Sequence, residues 1–186
     1  MLFADCRDYT RLTQELGIEK VAPMTEAFFK AAAKIVLAHN GIVDRLLGDA
    51  VMAFFNVPIK HEDHVARAVK AALEIQEGVS RINATRGNEF ALNVGIGIAT
   101  GTALATNMGS INCNDYTMVG DTINIASRLQ GEALAGEVLL TEDAYNAVRP
   151  AFPGSEQRQY RLKGIAHAVV AYAVKQQVSQ KSFIDS

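Results

Sequence analysis

Residues 42–55, Ile42-Val43-Asp44-Arg45-Leu46-Leu47-Gly48-Asp49-Ala50-Val51-Met52-Ala53-Phe54-Phe55, decide the architecture. Two apolar runs, 42–47 and 50–55, are separated only by Gly48-Asp49, a pair suited to the tight turn of a β-hairpin. Asp49 is thereby placed at the turn. Upstream, from Thr10 to Asn40, the pattern is helical: Met24, Phe28, Ile35 and Val36 fall on one face, and Gly41 supplies a C-terminal stop. Before it, Met1–Ala4 reads as the end of an apolar strand carrying Asp5, and its abrupt start predicts that further residues precede it in the whole protein. Downstream, Pro58 closes the hairpin, and Glu62-Asp63 open a helix with Val65, Val69 and Leu73 at four-residue spacing, running to about Asn83. Phe90, Leu92, Val94, Ile96 and Ile98 then alternate with Ala91, Asn93, Gly95, Gly97 and Ala99, a strand with one bulky face and one nearly bare.

A hairpin set inside a helix–strand alternation predicts a mainly antiparallel sheet with helices on one face, rather than a doubly wound parallel sheet. The remaining elements are a strand or hairpin over Ala103–Met108 and Tyr116–Val119, leading into Gly120-Asp121 and a helix through Leu129. Val138–Leu140, a helix from Glu142, and a strand pair near Gln159–Leu162 and Val169–Val174 complete one domain over residues 1–175. The polar residues 176–186 read as a fraying tail.

Hydrophobic residues make up 49% of the 186 and charged residues 20%, a composition that folds without disulfides. A net charge of −2 offers no footprint for a nucleic-acid backbone, and no dense basic block faces an anionic membrane. No apolar run approaches the roughly 20 residues of a membrane span. Cys6 and Cys113 lack the spacing of a zinc site or a disulfide framework, which points to a reducing, cytoplasmic setting.

The strand end at Asp5 and the hairpin tip at Asp49 would lie side by side in such a sheet, and a carboxylate pair suits Mg²⁺ or another hard divalent ion. A lone Asp in a Gly-Asp turn is more often simply a turn residue. On the helix after Gly120-Asp121, Asn124 and Arg128 are four residues apart and share a face. An amide can hold a ribose and a guanidinium can meet charge building on phosphate, although a solvated helix face is the plainer reading of such a pair alone. The glycines of Asn93-Val94-Gly95-Ile96-Gly97-Ile98-Ala99-Thr100-Gly101 lie inside a strand, so they invite the close approach of a helix or another chain rather than a dinucleotide. His61-Glu62-Asp63-His64 lacks the spacing of a zinc motif and reads as a helix start, and Cys6 reads as a packing residue.

Phe3-Ala4-Asp5, Val43 to Ala53, His61 to His64, Asp115 to Leu129 and Leu162-Lys163-Gly164 occur in the order seen in the class III adenylate and guanylate cyclase catalytic domain, and the chain resembles that family over nearly its whole length. The resemblance implies an α+β, ferredoxin-like βαββαβ sandwich with additional C-terminal strands and helices, working as a homodimer with shared sites. It implies that Asp5 and Asp49 hold two Mg²⁺ or Mn²⁺ ions, with the backbone carbonyl of Cys6 as a further ligand. Asn124 would orient the ribose, Arg128 would stabilise the α-phosphate, and Lys163 would bind the terminal phosphates of ATP. The metal aspartates of one subunit would face the Asn, Arg and Lys of the other.

Arg45 stands where adenylate cyclases of the family carry a lysine and guanylate cyclases an acid; Thr117 is its implied partner in reading adenine. Asp8 stands where a glycine is usual, and its carboxylate could distort the loop or bind metal itself. The resemblance thus implies an adenylate cyclase domain preceded by a regulatory module. A degenerate module that binds nucleotide or partner without turnover, a guanylate cyclase, and a cyclic-dinucleotide synthase or polymerase-palm relative are the competing expectations.

Overall fold

The computed structural model describes residues 1–85, 90–107 and 116–175, with the side chains of Asn107, Tyr116 and Thr117 set aside. Strand β1 (Leu2–Cys6) leads through α1 (Tyr9–Leu16) and α2 (Ile18–Ala38) to the hairpin β2 (Ile42–Leu47) and β3 (Ala50–Phe54), then through α3 (His64–Thr85) to β4 (Val94–Ile98). These elements make the βαββαβ unit. In the sheet they lie in the order β2-β3-β1-β4, all antiparallel to their neighbours. The chain continues with β5 (Leu104–Asn107) and β6 (Tyr116–Val119), a separate two-stranded ribbon, and α4 (Asp121–Glu132). Then β7 (Val138–Thr141), α5 (Glu142–Asn146), β8 (Glu156–Tyr160) and β9 (Val169–Val174) extend the main sheet to seven strands in the order β2-β3-β1-β4-β7-β9-β8. Among the described strands only the β4–β7 junction is parallel.

Strand alternation sorts β1 between two layers. Leu2, Ala4 and Cys6 join Val51, Ala53, Val94, Ile96 and Ile98 in the main core, beneath Met24, Phe28 and Val36 of α2 and Val65, Val69 and Ile75 of α3. Each buried Val, Leu, Ile, Phe or Met among them contributes about 1.5–3 kcal/mol of apolar transfer. Phe3 points the other way, to a smaller core with Met52, Phe54, Ala99 and Ala126 of α4. Helices therefore cover both faces, not one. The expectation of a one-sided sheet fails because the bare face of β4 is bare for a helix: a Cβ on Gly97 would lie 2.5 Å from the Ala126 carbonyl oxygen and 2.8 Å from the Gln130 Cα.

Four boundaries also differ from the sequence reading. The helical stretch 10–40 is two helices, broken at Gly17, whose φ of 83° no β-carbon favours. Helix α3 opens at His64 rather than at Glu62-Asp63. Regular pairing of β4 begins at Val94 rather than at Phe90, because β1 ends opposite it at Cys6 and the Asn83 side chain takes both backbone groups of Leu92, at 2.9 and 2.8 Å. The penultimate strand covers Glu156–Tyr160 instead of Gln159–Leu162, since its register on β9 runs from Glu156 opposite Ala173 to Tyr160 opposite Val169. Residues 176–186 and Cys113 lie outside the described residues. No described helix is long and apolar enough to cross a membrane.

A side chain at Gly97 would have to displace the backbone of α4 rather than a pliant side chain. Gly97→Val is therefore expected to lower unfolding stability by about 3 kcal/mol, the upper part of the overpacking range, read from the urea midpoint at an unchanged m-value.

Candidate active site

Alternation along β1 puts Asp5 on the Phe3 face, toward α4, and register sets it opposite Ala50 on one side and Gly95 on the other. Ala50 directly follows the Gly48-Asp49 turn, and the Cys6 amide donates to the Asp49 carbonyl at 3.2 Å. The hairpin tip is thus tied to the end of β1, and the two carboxyls meet as the sequence predicted. They line an open cleft of about 530 Å³ with Cys6, Arg7, Asp8 and Tyr9.

Burial first, and then the charge of Asp49 and a hydrogen bond shared with it, push the Asp5 carboxyl up to about 6; Arg7 and a hydrogen bond from Gln130 pull the other way. Asp5 Oδ2 accepts from Gln130 Nε2 at 3.0 Å. Asp5 Oδ1 is buried and has no donor among the described residues, so ionising Asp5 leaves this oxygen unsatisfied on a carboxyl already opposed by the charge of Asp49. A hard divalent cation fits this arrangement: two carboxylates, one already oriented by an amide, with an open cleft for waters and phosphates. The Cys6 thiol, pushed up to about 12 by burial and by the charges of Asp49 and Asp5, stays protonated; only its backbone carbonyl can serve as a ligand.

Gln130 and Arg7 were not singled out by the sequence reading. Gln130 lies four residues beyond Ala126, on the inward face of α4, and its signal was a polar residue at a position the helical period assigns to the core. Arg7 follows the same β1 face, lies over Gly95, and donates through its guanidinium to the carbonyls of Gln130 and Gly131 at the end of α4. Asp8, with φ 58°, occupies a left-handed position that favours glycine and that Asp tolerates; its carboxylate pairs with Arg11 at 3.4 Å.

Asn124 and Arg128 are exposed on α4, and Lys163 is exposed in the connection between β8 and β9. Among the described residues no hydrogen bond or ion pair ties any of them to Asp5 or Asp49. With 3.6 residues per turn, Asn124 and Arg128 lie on the opposite face of α4 from Ala126 and Gln130, so the helix stands between them and Asp5. Arg45 lies on the edge strand β2 opposite Met52, beside a register shift, and its Nε is 3.3 Å from Asp44 Oδ2. The backbone of Thr117 pairs with Thr106 in the ribbon. In the His61–His64 segment, His64 Nδ1 faces the His61 carbonyl at 2.9 Å and Asp63 pairs with Arg67 at 2.7 Å, the interactions of a helix start. Among the described residues no group of three or more His, Cys, Asp and Glu side chains is placed to hold a metal.

The family model described as "Adenylate and Guanylate cyclase catalytic domain" matches residues 1–176. "Adenylate cyclase 1" of Rhizobium meliloti is 34% identical over 134 residues, 70% of this chain and 20% of that protein. "Adenylate cyclase" of Anabaena cylindrica is 26% identical over 186 residues, 94% of this chain and 36% of that protein. The chain therefore spans a fifth to about a third of the length of these two relatives. Among solved structures, the adenylyl cyclase CyaB from P. aeruginosa superposes with a TM-score of 0.89 at 27% identity, covering 97% of this chain and 95% of that one. The guanylyl cyclase Cya2 gives 0.88 at 25%, covering 97% and 93%.

Because Asp5 must be ionised to meet a cation, divalent-metal affinity is expected to fall about tenfold per pH unit below about 6. Without metal the sign reverses. The stability tied to protonated Asp5 is fully present below its ordinary value of 3.8 and is lost as pH rises through about 6. In EDTA, the gap in melting temperature between Asp5→Asn and wild type should therefore widen in favour of the variant between pH 4 and pH 7; a constant gap would refute the shift.

Proposed function

The chain belongs to the adenylate and guanylate cyclase catalytic domain family, and we propose that it converts ATP to 3′,5′-cyclic AMP and pyrophosphate at sites shared by two copies of itself. The observation that carries this reading is Asp5 Oδ1, a buried oxygen with no donor among the described residues, on a carboxyl that shares a hydrogen bond with Asp49. Asp5 and Asp49 hold two Mg²⁺ or Mn²⁺ ions, with the Cys6 carbonyl as a further ligand. When bound, such ions lower the pKa of the attacking 3′-hydroxyl and neutralise the departing pyrophosphate.

The other groups come from the second chain. Asn124 hydrogen-bonds the ribose and holds the 3′-oxygen in line with the α-phosphorus. Arg128 donates to the α-phosphate oxygens, where charge grows as the new bond forms and the bridge to the β-phosphate breaks. Lys163 binds the terminal phosphates. The placement of Asn124 and Arg128 on the side of α4 away from Asp5 supports this division, because a second copy can present those side chains where the same chain turns them outward. Large apolar side chains on the sheet edge and the ribbon, Leu46 at 51%, Leu47 at 49% and Leu104 at 67% exposure, supply surface for such a copy to cover.

Arg45 and Thr117 read the base. A guanidinium only donates, so it suits a ring-nitrogen acceptor of adenine and opposes the N–H groups on the guanine edge, while the Thr117 hydroxyl accepts from the adenine amine. A higher rate with GTP than with ATP would refute this assignment. Where the shorter chain stands in its whole protein, the greater length of the relatives supports a regulatory segment outside these residues.

The shared site has a counting consequence. Asp5→Ala and Arg128→Ala are each expected to be nearly inactive, since every site then lacks a metal ligand or the cation on the α-phosphate. Mixed at equal amounts with free exchange, half the dimers are heterodimers with one intact site, so about a quarter of wild-type activity returns. The measurement is cyclic nucleotide formed at matched total protein, with exchange checked by a tag pull-down. No recovery in a confirmed heterodimer places the whole site within one chain.

A further inference from the structure

We propose that Gln130 is a positioning residue for the metal carboxylate: its amide fixes the rotamer of Asp5 so that Oδ1, and not Oδ2, is offered to the ion. The proposal rests on the reading of Asp5 as a metal ligand. A carboxylate torsion is roughly two-fold and broad, so an unrestrained Asp5 would present either oxygen. The 3.0 Å bond from Gln130 Nε2 to Oδ2 removes that freedom and leaves Oδ1 as the oxygen without a partner.

The helix backbone that carries the amide is held by two contacts. Gln130 is only 6% exposed. Its backbone carbonyl accepts from the Arg7 guanidinium, which also reaches the Gly131 carbonyl at 3.4 Å, and Arg7 in turn lies over the bare face of Gly95. Gly97 lets the helix backbone at Gln130 rest directly on β4. Burying an amide is costly unless it is hydrogen-bonded, and a thioether of similar length would fill the same space without that cost. Packing alone therefore does not account for a glutamine here, whereas orienting a ligand oxygen does. Partners of this kind typically set metal affinity by 10–100-fold.

The test is a Mn²⁺ titration of the purified protein without nucleotide, followed by the electron paramagnetic resonance signal of the free ion, for wild type, Asp5→Asn, Gln130→Met and Gln130→Glu. Asp5→Asn is expected to remove the site. Gln130→Met should weaken Mn²⁺ binding about tenfold while the melting temperature and dimer content stay near wild type. Gln130→Glu keeps the shape and replaces the donor with an acceptor, so it decides the matter if the methionine variant folds poorly, and it too should weaken binding. Mn²⁺ affinity within twofold of wild type in the folded Gln130 variants, with the site lost in Asp5→Asn, overturns the proposal and leaves the metal reading standing. Unchanged binding in Asp5→Asn overturns both.

The mixed dimer adds a control that a merely structural glutamine would fail. Only the chain carrying Arg128→Ala supplies a working Asp5. Gln130→Met placed in that chain should lower the restored activity and raise the Mn²⁺ concentration needed for half-maximal rate. Placed in the Asp5→Ala chain, which supplies Arg128 alone, it should do neither. Equal loss in both placements would assign Gln130 to helix packing and overturn its role at Asp5.

Discussion

The close contact between α4 and the bare face of β4 is the constraint on which the rest of the site depends. Gly95 and Gly97 leave that face without side chains, so the helix backbone at Ala126 and Gln130 settles onto the strand and the Arg7 guanidinium lies over Gly95. Any β-carbon at Gly97 would lift the helix. Lifting it would detach the Gln130 amide from Asp5 and the Gln130 carbonyl from Arg7, because both bonds are made by the residue that rests on the strand. Two missing side chains on β4 thus set the surroundings of a carboxylate on β1.

That carboxylate stands in an arrangement that is unfavourable in isolation. Asp5 is partly withdrawn from water and faces Asp49, and the two effects together outweigh the help it receives from Arg7 and Gln130, so its proton is held more tightly than in solution. A fold selected for stability alone would separate the pair or neutralise one member. The hairpin does the reverse: the bond from the Cys6 amide to the Asp49 carbonyl fastens the turn against the end of β1. Strain of this electrostatic kind is relieved by a divalent cation, which makes binding favourable in proportion to the repulsion it removes.

The sequence made the frame legible where a short-range signal coincided with the long-range outcome. Gly48-Asp49 between two apolar runs gave the hairpin, the alternation at Val94–Ile98 gave the central strand, and the glycines within it foretold a close approach. Asp5 and Asp49 were legible as a pair because both sit at strand ends that the topology makes neighbours. Gln130 and Arg7 were not, because their significance lies in tertiary contacts spanning more than a hundred residues of sequence, and a helical polar residue reads as solvated until the opposing strand is in place. The one-sided sheet has a related cause: the glycines of β4 signal a close approach by a helix or another chain, but a face without apolar side chains carries no periodicity to say which of these covers it. Boundaries failed where a side chain competed with the ladder, as Asn83 does at Leu92, or where pairing with β9 set the register of β8.

Helix α4 follows two rules at once, and their combination suits the proposed division of labour between two copies. Ala126, Leu129 and Gln130 answer to the sheet, while Asn124 and Arg128, on the other side of the same turns, are exposed to solvent. In a single copy the outward pair is only a solvated face. In a two-fold dimer the same rigid helix would touch its own metal carboxylate through Gln130 and the partner's nucleotide through Asn124 and Arg128, since an isologous interface repeats each contact in both directions. A helix of 12 residues that is anchored at the inner end by backbone contact cannot shift its inner face without carrying its outer face along. On the proposed reading, the placement of a cation at one site and of Arg128 at the other would then be linked through one piece of backbone, made stiff by the close packing at Gly97.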